Sequence, residues 1–314
     1  MSGESEFIAS LRSLATNPAA RGLLDDAAVL EVGGTELVLT HDMIVEGVHF
    51  LPDDPPEDVA WKLVAVNLSD LAAKGARPAG ALLGFSLTGD EAWDAAFVQG
   101  LRLALDAFNL PLLGGDTVSV PNGVRTLGLT AIGEAAGPVP SRTGAKAGDH
   151  LWVSGSIGDA GAGLAALLHQ IAKSDTLVAR YRHPEPRLKA GQSLASLVTA
   201  MMDVSDGLLI DAARIAEASG LAATVELNAV PLSGHYTGAR GDDRGARIAA
   251  ATAGDDYELL FAAAPDQEAA LLALSEKLGL PFARIGHFAP GSGLSLTEAG
   301  EPLPLPARLG YQHD

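Results

Sequence analysis

The sequence predicts an α/β protein of two domains, each built from layers of helices against a sheet. The chain has 314 residues, which is enough for two cores of ordinary size. Apolar runs typical of strands alternate with helical patterns in both halves, and a passage rich in glycine and proline at 133–140 separates the halves. We therefore expect one domain at residues 1–138 and a second at residues 139–314.

The first half is predicted to contain three helices and three strands. In order they are a helix at 5–18, a strand at 36–40, a helix at 57–74, a strand at 81–87, a helix at 91–108 and a strand at 127–132. The helix at 57–74 carries apolar residues at helical spacing. Gly75 and Pro78 follow this helix and are expected to end it.

The second half is predicted to begin with a strand at 150–154. Four glycines at 155–163 then lead into an alanine-rich helix, and helix packing explains them better than phosphate binding, because the sequence contains no Gly-x-x-x-x-Gly-Lys-Ser/Thr motif. A proline-rich joint follows at 183–187. Asp206 is expected to cap a helix that runs to about Ser219, and strands near 223–227 and 258–262 alternate with helices to the end of the chain.

Composition and charge argue against several classes of function. The net charge is −18, from 39 acidic and 21 basic residues, and no basic stripe offers a surface for nucleic acid or anionic lipid. The absence of cysteine excludes disulfides, thiolate metal sites and cysteine nucleophiles. No signal peptide is evident and no apolar run is long enough to span a membrane, so we expect a cytoplasmic protein without a nucleic-acid or membrane partner.

Five short acidic clusters are the main functional signal. They are Asp25-Asp26, Thr40-His41-Asp42, Gly114-Gly115-Asp116, Asp203-Val204-Ser205-Asp206-Gly207 and Gly254-Asp255-Asp256-Tyr257-Glu258. Most of them follow an apolar run, where a strand or helix brings a side chain to the rim of a core. Carboxylates that meet at one rim repel each other and need cations between them, and oxygen ligands without Cys or paired His suit Mg²⁺. The sequence therefore predicts an enzyme that handles phosphates through magnesium.

Each of these signals also has a structural interpretation. Asp70 lies on the apolar face of the helix at 57–74, where an uncompensated carboxylate is costly, so it needs either a metal ion or a basic neighbour such as Lys74 or Arg77. Asp42 can simply start a turn at the end of its strand. The Gly114-Gly115 pair suits an anion-binding nest or an ordinary turn. These alternatives remain open on the sequence.

Taken together, ordered motifs along the chain resemble the thiamine-monophosphate kinase family. They are Thr40–Phe50, Asn67–Pro78, Gly114–Thr117, Ser141–Ala145, Asp203–Leu208 and Gly254–Leu259. The resemblance runs in order from about residue 25 to Tyr311, and the His49 and Asn67–Pro78 blocks separate this family from its relatives. It implies the two-domain fold of the aminoimidazole-ribonucleotide-synthetase superfamily, with the N-terminal sheets of a homodimer paired and ATP in a cleft between the domains.

The resemblance also implies an activity, its cofactors and its site residues. The expected reaction is ATP-dependent phosphorylation of thiamine monophosphate to thiamine diphosphate, in the biosynthesis of the latter, with several Mg²⁺ ions as cofactors. The expected metal ligands are Asp26, Thr40, His41, Asp42, Asp70, Asp116, Asp203 and Asp206. The expected ATP contacts are Gly115, Asp116, Arg142 and Ser205, and the expected contacts with the thiamine substrate are His49, Asp256, Glu258 and Tyr311.

The chemistry of this reaction explains why no covalent or general-base residue is expected. Both reacting phosphates are anionic, so the site must neutralise them and align them for direct in-line transfer. The nucleophile is a phosphate oxygen that is already ionised near pH 7. A site rich in Asp, without an obvious catalytic His, fits that requirement.

Two departures from the family pattern and several alternative functions remain. The family usually has Gly directly before the Asp pair, where this chain has Leu23-Leu24, and it has a second Ser or Thr where this chain has His41. The alternatives are another ATP-using member of the superfamily such as aminoimidazole ribonucleotide synthetase, a non-catalytic Mg-nucleotide-binding protein, and a metal-dependent phosphatase. Selenophosphate synthetase and the hydrogenase-maturation relative usually use a Cys or its selenium equivalent, which this chain lacks.

Overall fold

Two mixed β-sheets, one in each half of the sequence, organise the computed structural model, which describes residues 3–312. The helices and strands of the first half are α1 (Gly3–Leu11), β1 (Ala28–Val32), β2 (Thr35–Val45), α2 (Pro56–Ala73), β3 (Ala76–Leu87), α3 (Glu91–Phe108), β4 (Leu112–Ser119) and β5 (Thr126–Ala135). The five strands lie in the order β1-β2-β5-β3-β4, and only the β3–β4 pair is parallel.

A seven-stranded sheet organises the second half. Its elements are β6 (His150–Ser154), α4 (Asp159–Leu167), α5 (Asp175–Arg182), α6 (Leu188–Leu194), β7 (Ala200–Asp203), α7 (Leu208–Ser219), β8 (Ala222–Glu226), α8 (Gly234–Arg240), α9 (Arg244–Ala251), β9 (Leu259–Ala263), α10 (Glu268–Leu278), β10 (Phe282–Ala289), β11 (Gly293–Glu298) and β12 (Glu301–Leu303). The strand order is β12-β11-β8-β10-β6-β9-β7. Both halves pack helices against a mixed sheet, which confirms the expected α/β class.

The connection between β5 and β6 contains the expected domain boundary at 138/139. It joins the last strand of the first sheet to the first strand of the second. Helix α2 packs against β2 and β5 of the first sheet and also against α6 and β7 of the second half. Every residue from Val59 to Ala73 except Trp61 is buried. This helix is therefore central to the molecule, and its polar side chains face other protein groups rather than water.

Several predicted elements are confirmed within one or two residues. The helices expected at 57–74 and 91–108 are α2 and α3, and the strands expected at 150–154, 223–227 and 258–262 are β6, β8 and β9. The four glycines at 155–163 serve packing as expected. A Cβ on Gly163 would lie 2.1 Å from the carbonyl oxygen of Leu177, and one on Gly161 would lie 2.5 Å from Ala253.

The first predicted helix and the first predicted strand end at different residues in the structure. The helix expected at 5–18 ends at Leu11, because Asn17 caps a separate 3₁₀ turn at Pro18–Leu23. The strand expected at 36–40 continues to Val45, so Asp42 lies inside β2 rather than after it. The buried side of this strand carries polar residues between apolar ones, and that mixture hides the period-2 pattern.

Other strands extend or contradict the prediction. Strand β3 begins at Ala76 rather than 81, and Pro78 is accommodated where its register with β5 shifts. The Gly114-Gly115-Asp116 segment is not a turn: it lies inside β4. After α10 the chain forms three successive strands instead of alternating with helices. Finally, Asp206 does not cap α7, because Gly207 occupies the capping position without a side-chain hydrogen bond.

The two sheets are stabilised mainly by apolar cores on their helix-covered faces. One core lies between the first sheet and α2 and α3, and includes Leu63, Leu71 and Phe97. Another surrounds β6, β7, α7 and β8, and includes Leu151, Met202 and Leu209. Among residues 3–312, no helix is both long and apolar enough to cross a membrane.

Candidate active site

Three carboxylates from three different elements meet where the two halves of the chain pack together. One carboxylate oxygen of Asp26, one of Asp70 and one of Asp203 all lie within 4.8 Å of one another. Asp26 precedes β1, Asp70 lies on α2, and Asp203 ends β7. Asp42 on β2 belongs to the same centre electrostatically, because its pKa is raised by burial and then by the charges of Asp26 and Asp206. The structure thus brings together four of the predicted ligands, Asp26, Asp42, Asp70 and Asp203.

Hydroxyl and amide groups hold these carboxylates in place. The Thr40 hydroxyl donates a hydrogen bond to Asp70. The Ser69 hydroxyl donates to Asp203 at 2.5 Å, and the Asn67 side-chain oxygen accepts the backbone N–H of Asp42 at 2.9 Å. Thr40 was predicted. Ser69 was not among the predicted site residues, although its position directly before Asp70 in the Asn-Leu-Ser-Asp block was a usable signal.

Burial, followed by mutual repulsion, raises the pKa of three carboxylates of the centre. Burial, followed by the negative charge of Asp26, raises the pKa of Asp203 to about 8, although the hydrogen bond from Ser69 opposes the shift. Burial raises the pKa of Asp42 to about 6. The pKa of Asp70 is raised well above its ordinary value by burial and then by Asp42 and Asp203. Such a site attracts cations strongly.

Asp26 behaves differently because two basic groups contact it. Its burial opposes ionisation, but the charges of Arg142 and Lys74 outweigh that effect and hold its pKa below the ordinary value. The ammonium of Lys74 lies 2.7 Å from one Asp26 oxygen, and Arg142 contacts the other. Asp26 is therefore held ionised by its two basic neighbours.

The structural interpretation of Asp70 is not supported. Lys74, one of its two basic neighbours in the sequence, pairs with Asp25 and Asp26. Arg77, the other, is exposed and pairs with Glu134 on the neighbouring strand. Neither residue neutralises Asp70. The structure therefore favours a metal ion at Asp70 more strongly than the sequence alone does.

A fully buried carboxylate that the sequence argument missed shapes the loop at 205–207. One oxygen of Asp211 accepts the backbone N–H groups of Ser205, Asp206 and Gly207, each at 3.2 Å. Arg214 pairs with Asp211 at 2.7 Å and with Asp206 at 2.6 Å. Burial raises the pKa of Asp211 to about 6. An acidic residue in the first turn of α7 was the available signal.

Two of the predicted substrate segments are joined through Lys62 of α2. Its ammonium donates to the backbone carbonyl of His49 at 2.9 Å and to Asp255 at 2.8 Å, and it lies 4.0 Å from the centre of the Tyr181 ring. Asp255 and Tyr257 both have left-handed backbone conformations, with φ of 70° and 51°. Strain of this kind at non-glycine residues is typical of functional loops.

The other predicted substrate residues lie in different surroundings. Asp256 accepts the backbone N–H of Gly158 at 2.9 Å, and Glu258 is buried against Arg187 and Ser154. Both carboxylates therefore already have partners within the second half. Tyr311 is about half exposed, and its backbone N–H donates to the carbonyl of Asp206 at 2.8 Å, which places it beside the acidic centre.

The structure does not bring the predicted metal ligands His41 and Asp116, or the predicted ATP contact Gly115, to the centre. The His41 imidazole lies on the opposite face of β2 from Thr40 and contacts Thr130 at 2.9 Å, so only its backbone is available to the centre. Gly115 and Asp116 lie on β4, three strands away from β2 in the sheet, or about 14 Å at the usual strand spacing. Asp116 is exposed there.

The backbone explains why Leu24 is tolerated where the family usually has Gly. Leu24 has φ of −113°, which any residue can adopt. The left-handed positions lie just before it, at Arg21, Gly22 and Leu23. The departure therefore does not strain the backbone at Leu24, directly before the Asp pair, whereas Leu23 has a φ of 53°.

Comparison with known proteins identifies the relatives of this chain. Residues 24–135 match the family described as AIR synthase related protein, N-terminal domain, and residues 146–298 match its C-terminal domain. The thiamine-monophosphate kinase of Caulobacter vibrioides is 40% identical over 305 residues, covering 95% of this chain and 86% of that protein. The Salmonella typhimurium enzyme is 39% identical over 300 residues, covering 93% and 91%. The chain belongs to the thiamine-monophosphate kinase family.

Solved structures agree with this assignment. The crystal structure of thiamine-monophosphate kinase from Stenotrophomonas maltophilia K279a is 39% identical, covers 95% of this chain and 96% of that one, and superimposes with a TM-score of 0.79. A structure of AaThiL complexed with AMPPCP and TMP is 28% identical, covers 99% and 97%, and gives a TM-score of 0.84. The resemblance inferred from the ordered motifs to the thiamine-monophosphate kinase family is therefore confirmed.

Proposed function

We propose that the protein transfers the γ-phosphoryl group of ATP to thiamine monophosphate, giving ADP and thiamine diphosphate. The observation that carries this proposal is the meeting of Asp26, Asp70 and Asp203, from motifs of the thiamine-monophosphate kinase family, at the junction of the two sheets. The related structure with an ATP analogue and TMP supports the same two substrates. The enzyme is thus a phosphotransferase whose acceptor is itself a phosphate.

Mg²⁺ fits the donors of this site. All the groups are carboxylate or hydroxyl oxygens, and their spacing allows three carboxylates to share one ion. The raised pKa of Asp203 also indicates a site that is short of positive charge. We expect Asp26, Asp42, Asp70, Asp203 and Asp206, with Thr40, to hold several Mg²⁺ ions. Bound Mg²⁺ would neutralise the phosphates and stabilise the charge on the transferring group.

The remaining residues of the site bind and orient the substrates. Arg142 lies beside Asp26 and offers a guanidinium for a phosphate of ATP, and Ser205 lies in the loop that Asp211 fixes. His49 and Tyr311 lie near Lys62 and Asp206 respectively, on the side where we place thiamine monophosphate. The acceptor phosphate is ionised near neutral pH, so its attack needs alignment rather than a general base.

We also propose that the protein acts as a homodimer through the first sheet. Strand β4 lies at the edge of this sheet, and all eight of its residues are exposed. Leu113 and Val118 of this strand, and Leu82 of β3, expose 59%, 52% and 40% of their surface. An exposed apolar edge strand is a template for pairing with another chain. A second copy of the same sheet would cover it, and Gly115 and Asp116 would then lie at the dimer interface.

The reaction is tested by measuring both products. ATP, Mg²⁺ and thiamine monophosphate are incubated with the protein, and ADP and thiamine diphosphate are separated by chromatography. We expect them to form one for one, only when both substrates and the metal are present, and to fall at least 100-fold in Asp203→Asn. ADP formation without thiamine monophosphate would instead indicate a phosphatase, and Mg-ATP binding without turnover would indicate a non-catalytic nucleotide-binding protein.

The direct route of transfer has its own test. We expect no stable label on the denatured protein after incubation with γ-labelled ATP, because the phosphate oxygen of the acceptor attacks ATP itself. Labelled protein that passes its label to thiamine monophosphate would contradict direct transfer.

A further inference from the structure

Lys74 is the most deeply buried cation of the acidic centre. It follows the last residue of α2, and none of its surface is exposed. Its ammonium contacts Asp25, lies 2.7 Å from Asp26, and lies 3.3 Å from the backbone carbonyl of Met201. The ammonium donates hydrogen bonds to Asp25 and to the carbonyl of Met201, and its contact with Asp26 is an ion pair. Lys74 is therefore surrounded by three oxygen atoms of the protein.

The cations of the centre are distributed unevenly. Arg21 pairs with Asp25 at 2.6 Å, and Arg142 pairs with Asp26. In the described part of the chain, the ion pairs at this centre fall on Asp25, Asp26 and Asp206, and none falls on Asp42, Asp70 or Asp203. The centre thus has one side that the protein neutralises and one side that it leaves negative.

We propose that Lys74 is a resident cation of the metal centre, which takes the place of one divalent ion on the Asp25–Asp26 side. This inference rests on the proposed function for the metals on the other side. A carboxylate has about four lone-pair positions, so Asp26 can contact Lys74 and Arg142 and still face Asp70 and Asp203. Lys74 keeps the Asp pair in place before any metal binds.

The same contact has a cost for metal affinity. A positive charge within 3 Å of a shared carboxylate repels a divalent ion that approaches it. Lys74 therefore stabilises the metal-free protein and at the same time lowers its affinity for metal. A role in packing alone would change stability equally with and without metal, so the two roles can be separated.

The test compares the thermal unfolding of the full-length protein and of Lys74→Met in EDTA and over a series of Mg²⁺ concentrations. Methionine keeps an unbranched chain of similar length and removes the charge. In EDTA we expect the variant to unfold roughly 10 °C lower, because a buried carboxylate pair loses its cation. Saturating Mg²⁺ should recover at least half of that loss, and calorimetry should show tighter Mg²⁺ binding to the variant.

Two further variants make the test decisive. Lys173→Met makes the same change at an exposed lysine and should alter neither unfolding nor metal binding. Asp25→Asn/Lys74→Met removes one negative charge together with the ammonium, and should recover stability in EDTA relative to Lys74→Met. If the double variant recovers nothing, Lys74 does not act through charge and the proposal is overturned.

Other outcomes also decide the matter. Equal losses for Lys74→Met in EDTA and in Mg²⁺ would overturn the proposal in favour of packing. If the single variant does not fold even with Mg²⁺, folding of the double variant supports the proposal and its failure to fold overturns it. These readouts do not depend on turnover, so a failure of the proposed function would appear separately, as wild-type protein that binds Mg²⁺ but makes no thiamine diphosphate.

Discussion

Asp203 makes the stability of the metal-free protein depend on pH. Its pKa is about 8 in the folded protein and near 3.8 in an unfolded chain, because burial and the charge of Asp26 disfavour its ionised form. Between these values the folded state holds a proton that the unfolded state has released. Stability must therefore fall as pH rises from about 4 to about 8, by up to about 1.4 kcal/mol per pH unit for one proton. Asp26 does not oppose this trend above about pH 5, because there it is ionised in both the folded and the unfolded state.

This dependence is measurable by urea unfolding in EDTA at pH 5.5, 6.5 and 7.5. We expect the free energy of unfolding to decrease across the series in the wild-type protein, and the decrease to become smaller in Asp203→Asn. Asp266→Asn, at an exposed site, should leave the slope unchanged. An unchanged slope in Asp203→Asn would contradict the assignment of the raised pKa to this residue.

Asp211 determines the conformation of the loop that holds Ser205 and Asp206. Replacement by Ala would leave three backbone N–H groups without their acceptor and Arg214 with Asp206 as its remaining ion-pair partner, so we expect a loss of roughly 3 kcal/mol in the free energy of unfolding. Asp211→Asn keeps one acceptor oxygen and should lose less. The KM for Mg-ATP should rise in the same order. Equal effects of the two substitutions would show that the hydrogen bonds to the loop do not matter.

The sequence predicted which carboxylates meet but not what holds them. Asp26, Asp70 and Asp203 could be predicted because each is an unusual residue beside an apolar run, and an ordered motif set supports them. The partners of Lys74 and Asp211 could not be predicted, because these contacts depend on how side chains from separate elements approach each other. Lys74 and Asp25 are 49 positions apart. No local pattern specifies a contact over that separation.

Helix α2 shows a similar limit at the scale of an element. Its boundaries follow from local signals, including Gly75, which has a φ of 63° just after the helix. The surroundings of the helix do not follow from local signals, since it is buried on nearly all sides and not only along one apolar face. Lys62, Asn67 and Ser69 are polar, yet each is buried and binds a group in another part of the chain. A polar side chain on a fully buried helix is thus a candidate for function.

Lys62 gives a prediction for the two loops that α2 joins. Lys62→Met removes the donor shared by the carbonyl of His49 and the carboxylate of Asp255, so these loops lose their common anchor. We expect the KM for thiamine monophosphate to rise about tenfold, equivalent to about 1.4 kcal/mol, with the KM for ATP within about twofold of wild type. Steady-state kinetics with each substrate varied in turn would measure both constants.

Two further variants test whether Lys62 acts by holding the His49 and Asp255 loops in position. Lys62→Arg keeps the charge and a donor and should recover part of the affinity for thiamine monophosphate. Lys189→Met, at an exposed lysine of α6, should behave like wild type. Equal increases in both KM values for Lys62→Met would indicate a general loss of structure instead of a role at the acceptor end of the site.

Strand β4 was misread for a physical reason. Two consecutive glycines usually indicate a turn, but here a Cβ on Gly115 would lie 1.9 Å from the carbonyl oxygen of Leu83. Glycine is needed because β3 and β4 approach closely, and that requirement comes from the neighbouring strand rather than from local sequence. The same misreading hid the long exposed edge of the first sheet, which becomes important only at the scale of the whole molecule.

At that scale, the exposed apolar edge provides the last prediction. If β4 pairs with a second copy, placing a charge on it should prevent the association, because the charge would lose its water on pairing. We expect Val118→Lys to convert a dimer into a monomer in sedimentation-velocity measurements, with little change in the far-UV circular dichroism. Leu103→Lys is the matched control, since Leu103 exposes 63% of its surface but lies on helix α3 and not on a strand, and this variant should remain a dimer. A Val118→Lys protein that sediments as a dimer, like wild type, would place the dimer interface elsewhere. A wild-type protein that sediments as a monomer would contradict the proposal that a second copy covers the apolar edge. A monomeric Val118→Lys variant that also loses activity would indicate that Asp116, two residues away on the same strand, takes part in catalysis only within the assembled dimer.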